Sequence, residues 1–315
     1  MDQQDIQKIG VIGSGTMGSS IALNFAGSGF DVDLYDISEE ALNRGYASLK
    51  RYMDFLVENG LLKKEELVPI RERIRGCTSL EDICEVQFII ECAPEKLELK
   101  QRIFKDLEKH FADNVIFATN TSGLSPTAIA SVLVHRERFT ASNFWNPAHL
   151  LPLVEIMPGK DTSSETVEVV KKLMKKIGKK PVVLKKEVPG YIGNRLQFAL
   201  LREALNIVDS GIASMHDVDD AVKYGIGRRL GDTGPLETAD LGGLHVFAAI
   251  CESLFGELSN TDQVSSIILE AVKKGDLGYT TGKGIYEWSP EKFEAIQHRR
   301  EETLVDWLKK DRKEE

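Results

Sequence analysis

The stretch ASNFWNPAHLLPLVE, residues 141–155, reads as a strand, a polar turn and a second strand. That pattern lets an amide, Asn143, and a carboxylate, Glu155, face one cleft. A cleft of this kind ordinarily holds a group that takes and returns a proton. Imidazole does so with a pKa of about 6.5. An amide has no usable pKa, although it can donate a hydrogen bond to a carbonyl oxygen. His149 is the nearest histidine, six residues past Asn143. Asn146-Pro147 marks the turn between them. A second constellation lies upstream in VIGSGTMGSS, which spells Gly13-x-Gly15-x-x-Gly18. Gly13 allows a tight turn, Gly15 lets backbone approach a pyrophosphate, and Gly18 lets helix and strand pack closely. Thr16 and Met17 open the following helix, whose free N–H groups and positive dipole suit phosphates. Asp36 stands 18 residues past Gly18. Its carboxylate can accept from both ribose hydroxyls and repels a 2′-phosphate, so NAD(H) is expected over NADP(H). In NTSGLS, Ser122 falls just past a strand end, where open α/β sheets bind ligands. Asn194 lies in the first turns of a long helix.

Elements that alternate must position these groups. Strands are expected at 8–13, 31–36, 86–91, 114–119, 138–144, 153–158 and 181–184, with helical stretches between most of them. That alternation predicts a mostly parallel, doubly wound α/β sheet. A charged segment from about Glu39 to Arg75 reads as a helical hairpin inserted after the second strand. From Val188 the pattern turns helical, so the chain divides into 1–187, a dinucleotide-binding domain, and 188–315, an all-α domain. GYIGNRLQFALLREALNIVDSG is a helix stopped by Gly211, apolar on more than one face, and therefore buried all round or set in a subunit interface. Ser214 caps the next helix. The tail WLKKDRKEE reads as a solvated charged helix end. The 315 residues carry 42% apolar and 28% charged side chains and a net charge of −9, which fits a soluble globular protein and argues against nucleic-acid binding. No run approaches a membrane span, and MDQQDIQK lacks a signal-type apolar core, so a cytoplasmic location is expected. The four cysteines, Cys77, Cys84, Cys92 and Cys251, form no Cys-x-x-Cys pair and read as reduced thiols.

Taken together, IGVIGSGTMGSSIA, ECAPE, NTSGLS, FWNPAHLLPLVE, VPGYIGNRL, GPLETADLGGL and TGKGIYEW resemble the 3-hydroxyacyl-CoA dehydrogenase family over nearly the whole chain. The resemblance implies a Rossmann-like NAD-binding domain, a helical dimerising domain, and hydride transfer at a 3-hydroxy group. By position, Glu95 and Lys100 resemble nicotinamide-side contacts and Asn146 an NAD contact. Ser122 resembles the serine that bonds the reacting oxygen, and Asn194 the asparagine that helps hold the substrate. Glu155 resembles the acid that orients a catalytic histidine, and the place of that histidine falls on Asn143. Loss of a general acid/base costs on the order of 10²–10⁴-fold in rate. Three readings of Asn143 stay open. It is an introduced change that slows turnover, a natural residue in an enzyme whose substrate needs less proton transfer, such as an imine, or the mark of an NAD-binding non-enzyme.

The substrate reading also rests on resemblance. Ser48 aligns with a CoA-binding serine of the hairpin, whereas the matching lysine position falls on Phe55. A phenyl ring cannot pair with phosphate, although Lys50 and Arg51 lie nearby and a shifted register would supply a cation. The chain resembles the branch that holds lambda-crystallin/L-gulonate 3-dehydrogenase, carnitine dehydrogenase and a pyridine-carboxylate dehydrogenase. That branch handles small free acids, which implies a compact 3-hydroxy acid or a hydroxymethyl-type substrate rather than a long acyl-CoA. Arg195, Arg228 and Arg229 are candidates for the substrate carboxylate.

Overall fold

Apolar runs buried on both faces become the strands of a central sheet, as parallel strands covered by helices on two sides require. The computed structural model describes residues 6–111 and 114–314. The chain forms two compact units, one of residues 1–192 with 299–315 and one of residues 193–298. The first unit holds β1 (Lys8–Ile12), β2 (Asp31–Tyr35), β3 (Ile74–Cys77), β4 (Phe88–Glu91), β5 (Ile116–Thr119), β6 (Phe139–Phe144), β7 (Leu153–Pro158) and β8 (Lys180–Val183). They lie in the order β3-β2-β1-β4-β5-β6-β7-β8. All neighbours are parallel except β6 and β7. The order reverses between β1 and β4, which makes the carboxyl ends of those strands the topological switch point.

The unit's helices are α1 (Thr16–Gly27), α2 (Glu39–Glu58), α3 (Leu67–Glu72), α4 (Leu97–His110), α5 (Pro126–Ala130) and α6 (Ser164–Lys176). Strand alternation splits the core into two layers. Phe88 and Ile90 of β4 join one cluster with α1, α2 and α6, whereas Ile89 joins the other with Phe104 and Leu107 of α4. Ser38 caps α2, accepting from Ala41 N, and Glu39 and Glu40 complement its dipole. The returning arm of the insertion is a 3₁₀ turn, Lys64–Glu66, followed by α3. Strand β3 occupies the end of the segment read from sequence as wholly helical. Its Arg75 and Gly76 hide it, because an edge strand needs only one apolar face.

The second unit is helical, with α7 (Gly193–Asp209), α8 (Met215–Ala221), α9 (Gly227–Leu230), α10 (Pro235–Leu241), α11 (Leu244–Leu254) and α12 (Ser266–Lys274). Ser214 caps α8, accepting from Asp217 N. Leu196 and Phe198 of α7 are 57% and 58% exposed, so this helix is not buried all round within the chain. The last helix, α13 (Pro290–Glu314), belongs to the first unit from Arg299 onward. Its Val305 is 2% exposed in the core of that unit, with Leu304 and Leu308 packed alongside. Within WLKKDRKEE, Leu308 packs on that unit while Lys309, Lys310, Arg312 and Lys313 are exposed, as a charged helix end requires. Among the described residues no helix is long and apolar enough to cross a membrane. The octet MDQQDIQK includes residues 1–5, which lie outside the described residues.

Candidate active site

The glycine motif sits at the switch point. Gly13 has φ 100° and donates its N–H to Tyr35 O at 2.7 Å. A Cβ there would meet the Cys92 backbone at 3.2 Å, so the chain after β1 runs tight against the chain after β4. A Cβ on Gly18 would fall 1.7 Å from Gly13 O, which leaves no side chain but hydrogen possible. Around Gly15 a Cβ finds open space. No side chain caps α1 at Gly15. The N–H groups of its first turn, including Thr16, Met17 and Gly18, are therefore left to a ligand, as at any helix start. Asp36 Oδ2 accepts from Ser14 N at 2.8 Å and Ser14 Oγ at 2.7 Å, and Oδ1 from Ile37 N at 2.8 Å. Both lone pairs of Oδ2 are thus used, and Oδ1 keeps one for a ribose hydroxyl. These residues fit a dinucleotide.

Two loops leave the carboxyl ends of β4 and β5 beside this cradle. Glu91, the last residue of β4, is wholly buried, as is Lys100 of α4. Lys100 Nζ donates to Glu91 Oε1 at 2.8 Å and Oε2 at 2.9 Å. Thr119 Oγ1 donates to Glu91 Oε2 at 2.6 Å, and Ala93 N to Oε1 at 2.5 Å. The ammonium also lies 3.5 Å from Glu95 Oε2. Glu95 Oε1 accepts from Ser122 N and Gly123 N, each at 3.1 Å, and from Thr121 Oγ1. The structure thus brings Glu95, Lys100 and Ser122 together, with Lys100 presenting no surface to a ligand.

Antiparallel register sets Asn143 of β6 opposite Glu155 of β7. Both are buried, at 6% and 1% exposure. Asn143 Nδ2 donates to Glu155 Oε2 at 3.2 Å, and Trp145 Nε1 donates to the same oxygen at 3.0 Å. Ile192 N donates to Glu155 Oε1 at 2.8 Å. Tyr191 makes that last bond available by adopting φ 53°. Its ring is wholly buried against Ala141, Met157 and Leu184, and its hydroxyl has no hydrogen-bond partner among the described residues. Burial, then the charges of Glu95, Glu155 and Glu187, raise the phenol's pKa, so it stays protonated. Asn120 Oδ1 accepts from Phe144 N at 2.8 Å, tying the Ser122 loop to β6. Asn146 is exposed and begins a cis peptide with Pro147.

His149 turns to the helices. Its Nδ1 lies 2.9 Å from Ser20 Oγ on α1, and its ring stacks on Tyr52 of α2 at 4.4 Å. Phe55 meets the ring edge-on at 6.4 Å. Burial, aided by Lys179 and Arg51, pushes the imidazole down to about 4. It is neutral at pH 7 and too weak a base to accept a proton from an alcohol. Ser48 is partly buried on α2. Asn194, Arg195, Arg228 and Arg229 belong to the second unit. There the arginines are exposed, and Arg228 lies over the Tyr224 ring at 5.0 Å.

Sequence reasoning assigned no part to Glu91, Thr121, Trp145 or Tyr191. A signal existed for Glu91, since a lone acid closes an otherwise apolar strand nine residues before a lysine. Among the described residues, no group of three His, Cys, Asp or Glu side chains could hold a metal ion.

A doubly wound sheet with a glycine cradle at its switch point and an acid after the second strand defines a dinucleotide-dependent oxidoreductase class. Residues 8–188 match the 3-hydroxyacyl-CoA dehydrogenase NAD binding domain, and residues 190–288 match the C-terminal domain of the same enzymes. The chain is 31% identical over 301 residues to 5-formyl-3-hydroxy-2-methylpyridine 4-carboxylate 5-dehydrogenase of Mesorhizobium japonicum, covering 95% of this chain and 96% of that one. It is 35% identical over 283 residues to 3-hydroxybutyryl-CoA dehydrogenase of Clostridioides difficile, covering 90% and 99%. A crystal structure of a 5-formyl-3-hydroxy-2-methylpyridine 4-carboxylic acid 5-dehydrogenase, described as an NAD+-dependent dismutase, superposes with a TM-score of 0.88 at 31% identity, covering 96% and 97%. The chain belongs to the 3-hydroxyacyl-CoA dehydrogenase family, whose members are NAD-dependent dehydrogenases acting on CH–OH groups.

Proposed function

We propose that this protein moves a hydride between NAD(H) and C3 of a compact 3-hydroxy acid, and that it oxidises alcohols slowly. The observation that carries the reading is the Asn143–Glu155 pair at 3.2 Å, an amide on a buried carboxylate beside the Ser122 loop. NAD+, when bound, supplies the hydride acceptor. Gly13, Gly15, Thr16, Met17 and Gly18 hold its pyrophosphate and Asp36 its adenine-side ribose. Asn146 stands on the nicotinamide side. Ser122 Oγ and Asn143 Nδ2 bind the reacting oxygen, and Asn194 helps hold the substrate. Glu155 fixes the amide's orientation. As hydride leaves carbon, the hydroxyl proton must also leave, and neither Asn143 nor neutral His149 takes it efficiently. The proton then passes to water, at a cost on the order of 10²–10⁴-fold in rate.

A compact acid is favoured over a CoA ester by Phe55 of α2, whose ring meets His149 edge-on and supplies no phosphate partner. Arg228 and Arg229, with Arg195, are the candidates for the acid's carboxylate. The exposed apolar side of α7 supports a homodimer through the helical unit.

A second reading follows from the same pair. A protonated imine carries its own proton, so hydride delivery to C=N needs no general acid. Glu155 and Asn143 suit such a cation. The test compares this protein with Asn143→His, with NAD+ and NADH, on acyl-CoA, free-acid and cyclic-imine substrates. The proposal expects alcohol oxidation to rise 10²–10⁴-fold in the histidine form, most on free acids. Faster imine reduction by the asparagine form establishes the second reading. NADH binding without turnover on any substrate in either form marks a crystallin-like non-enzyme and overturns both.

A further inference from the structure

The Glu91–Lys100 pair lies outside the cofactor cradle and outside the Asn143–Glu155 pair, yet it is the most enclosed ionic contact of the first unit. Its ammonium serves three acceptors on the β4 side, both oxygens of Glu91 and Ala93 O at 3.2 Å. On the other side it faces Glu95 Oε2. Glu95 in turn spends its second oxygen on Thr121, Ser122 and Gly123, which belong to a different loop. A carboxylate that gathers two successive backbone N–H groups and a hydroxyl acts as an anion in a nest, and it orders the loop around it. An unbroken line of charge-assisted contacts therefore runs from Thr119 at the end of β5, through Glu91, Lys100 and Glu95, back to the backbone of Ser122.

We propose that Glu91, Lys100 and Glu95 form one positioning chain that sets the loop carrying Ser122. Lys100 then acts on the reaction through Glu95 and Ser122 and not by touching the cofactor. Lys100 has no exposed surface with which to reach a ligand. Thr121 and the amide of Ser122 already hold the Glu95 oxygen that faces the loop. The catalytic consequence rests on Ser122 bonding the reacting oxygen, as in the function proposed above. The loop-setting role does not.

Amide hydrogen exchange on the full-length protein without cofactor tests the loop-setting role alone. In E95Q and in T121V, exchange at Ser122 and Gly123 should quicken about tenfold, while exchange across residues 13–18 keeps the wild-type rate. T121S, which keeps the hydroxyl, should restore slow exchange. Wild-type exchange in both E95Q and T121V overturns the proposal. Kinetics on the best substrate of the panel test the consequence. E95Q should lower kcat at least tenfold with little change in the KM for NADH. Added to S122A, it should cost less than a further twofold. Losses that multiply, or a tenfold rise in the KM for NADH, assign Glu95 to direct cofactor contact and overturn the proposal. Failure of the exchange result leaves the reaction untouched, so the two readings fail separately.

Discussion

At the residue scale the 143–155 pair is defined by the donors that converge on its carboxylate. Asn143, Trp145 and Ile192 all aim N–H donors at Glu155, and a carboxylate so held in a buried site serves as a fixed anchor. The amide at 143 was legible from residue type, and its facing of Glu155 from strand alternation. The Ile192 N–H was not legible, because it depends on the left-handed turn at Tyr191, where sequence favours glycine. Tyr191 carries its own prediction. Its hydroxyl is buried without a partner among the described residues and so pays a desolvation cost of about 1–3 kcal/mol. Tyr191→Phe removes that cost while keeping the ring in its apolar seat. Urea unfolding should show stability unchanged or raised by about 1 kcal/mol. A loss of comparable size would mean that the hydroxyl has a partner.

At the element scale the β6–β7 connection is held from outside the sheet. Lys179, buried just before β8, donates to Ala148 O at 2.5 Å and Leu151 O at 3.2 Å. Asn24 of α1 donates to the same Ala148 carbonyl at 3.1 Å. Burial, then Arg312, pushes Lys179 down from its ordinary 10.5 to about 7. Between those values the unfolded chain holds a proton on this lysine that the folded chain has lost. Stability therefore rises with pH across that window. Below about pH 7 both states are protonated, and the folded state bears the full burial penalty, on the order of 5 kcal/mol. His149, pushed down to about 4 from 6.5, acts in the same direction in acid, so stability falls as pH drops from 6.5 toward 4. Urea midpoints from pH 7 to 9 should climb in the wild type and flatten in Lys179→Met. Equal slopes in the two proteins would place the lysine's proton elsewhere. Alternating apolar runs gave away the parallel strands and the glycine cradle, because those depend on local period and turn chemistry. Lys179 and β3 escaped, because their environments come from α1, α13 and β2, segments far away in sequence.

At the scale of the whole molecule, the chain leaves its first unit at Ile192 and comes back at Arg299. The return was hidden because charges crowd the tail and leave few apolar positions, yet three of those, Leu304, Val305 and Leu308, are the ones that dock. The matched C-terminal family domain ends at residue 288, so the docking segment lies beyond it. Arg312 Nη1 donates to Leu61 O at 2.8 Å, just past α2. The helix thus braces the insertion from outside, and the cluster that it completes also contains Ile21 and Phe25 of α1, the helix behind the phosphate cradle. Val305→Ala removes two buried methyl groups and should cost about 2 kcal/mol of unfolding free energy. Ending the chain at residue 298 removes the whole contact and leaves an apolar groove on the first unit. Its urea midpoint should fall further than that of Val305→Ala, and exchange at the amides near Leu61 should quicken before the sheet opens. The order matters more than the size. If the sheet amides exchange first, α13 stabilises the unit as a whole and not through the insertion it touches.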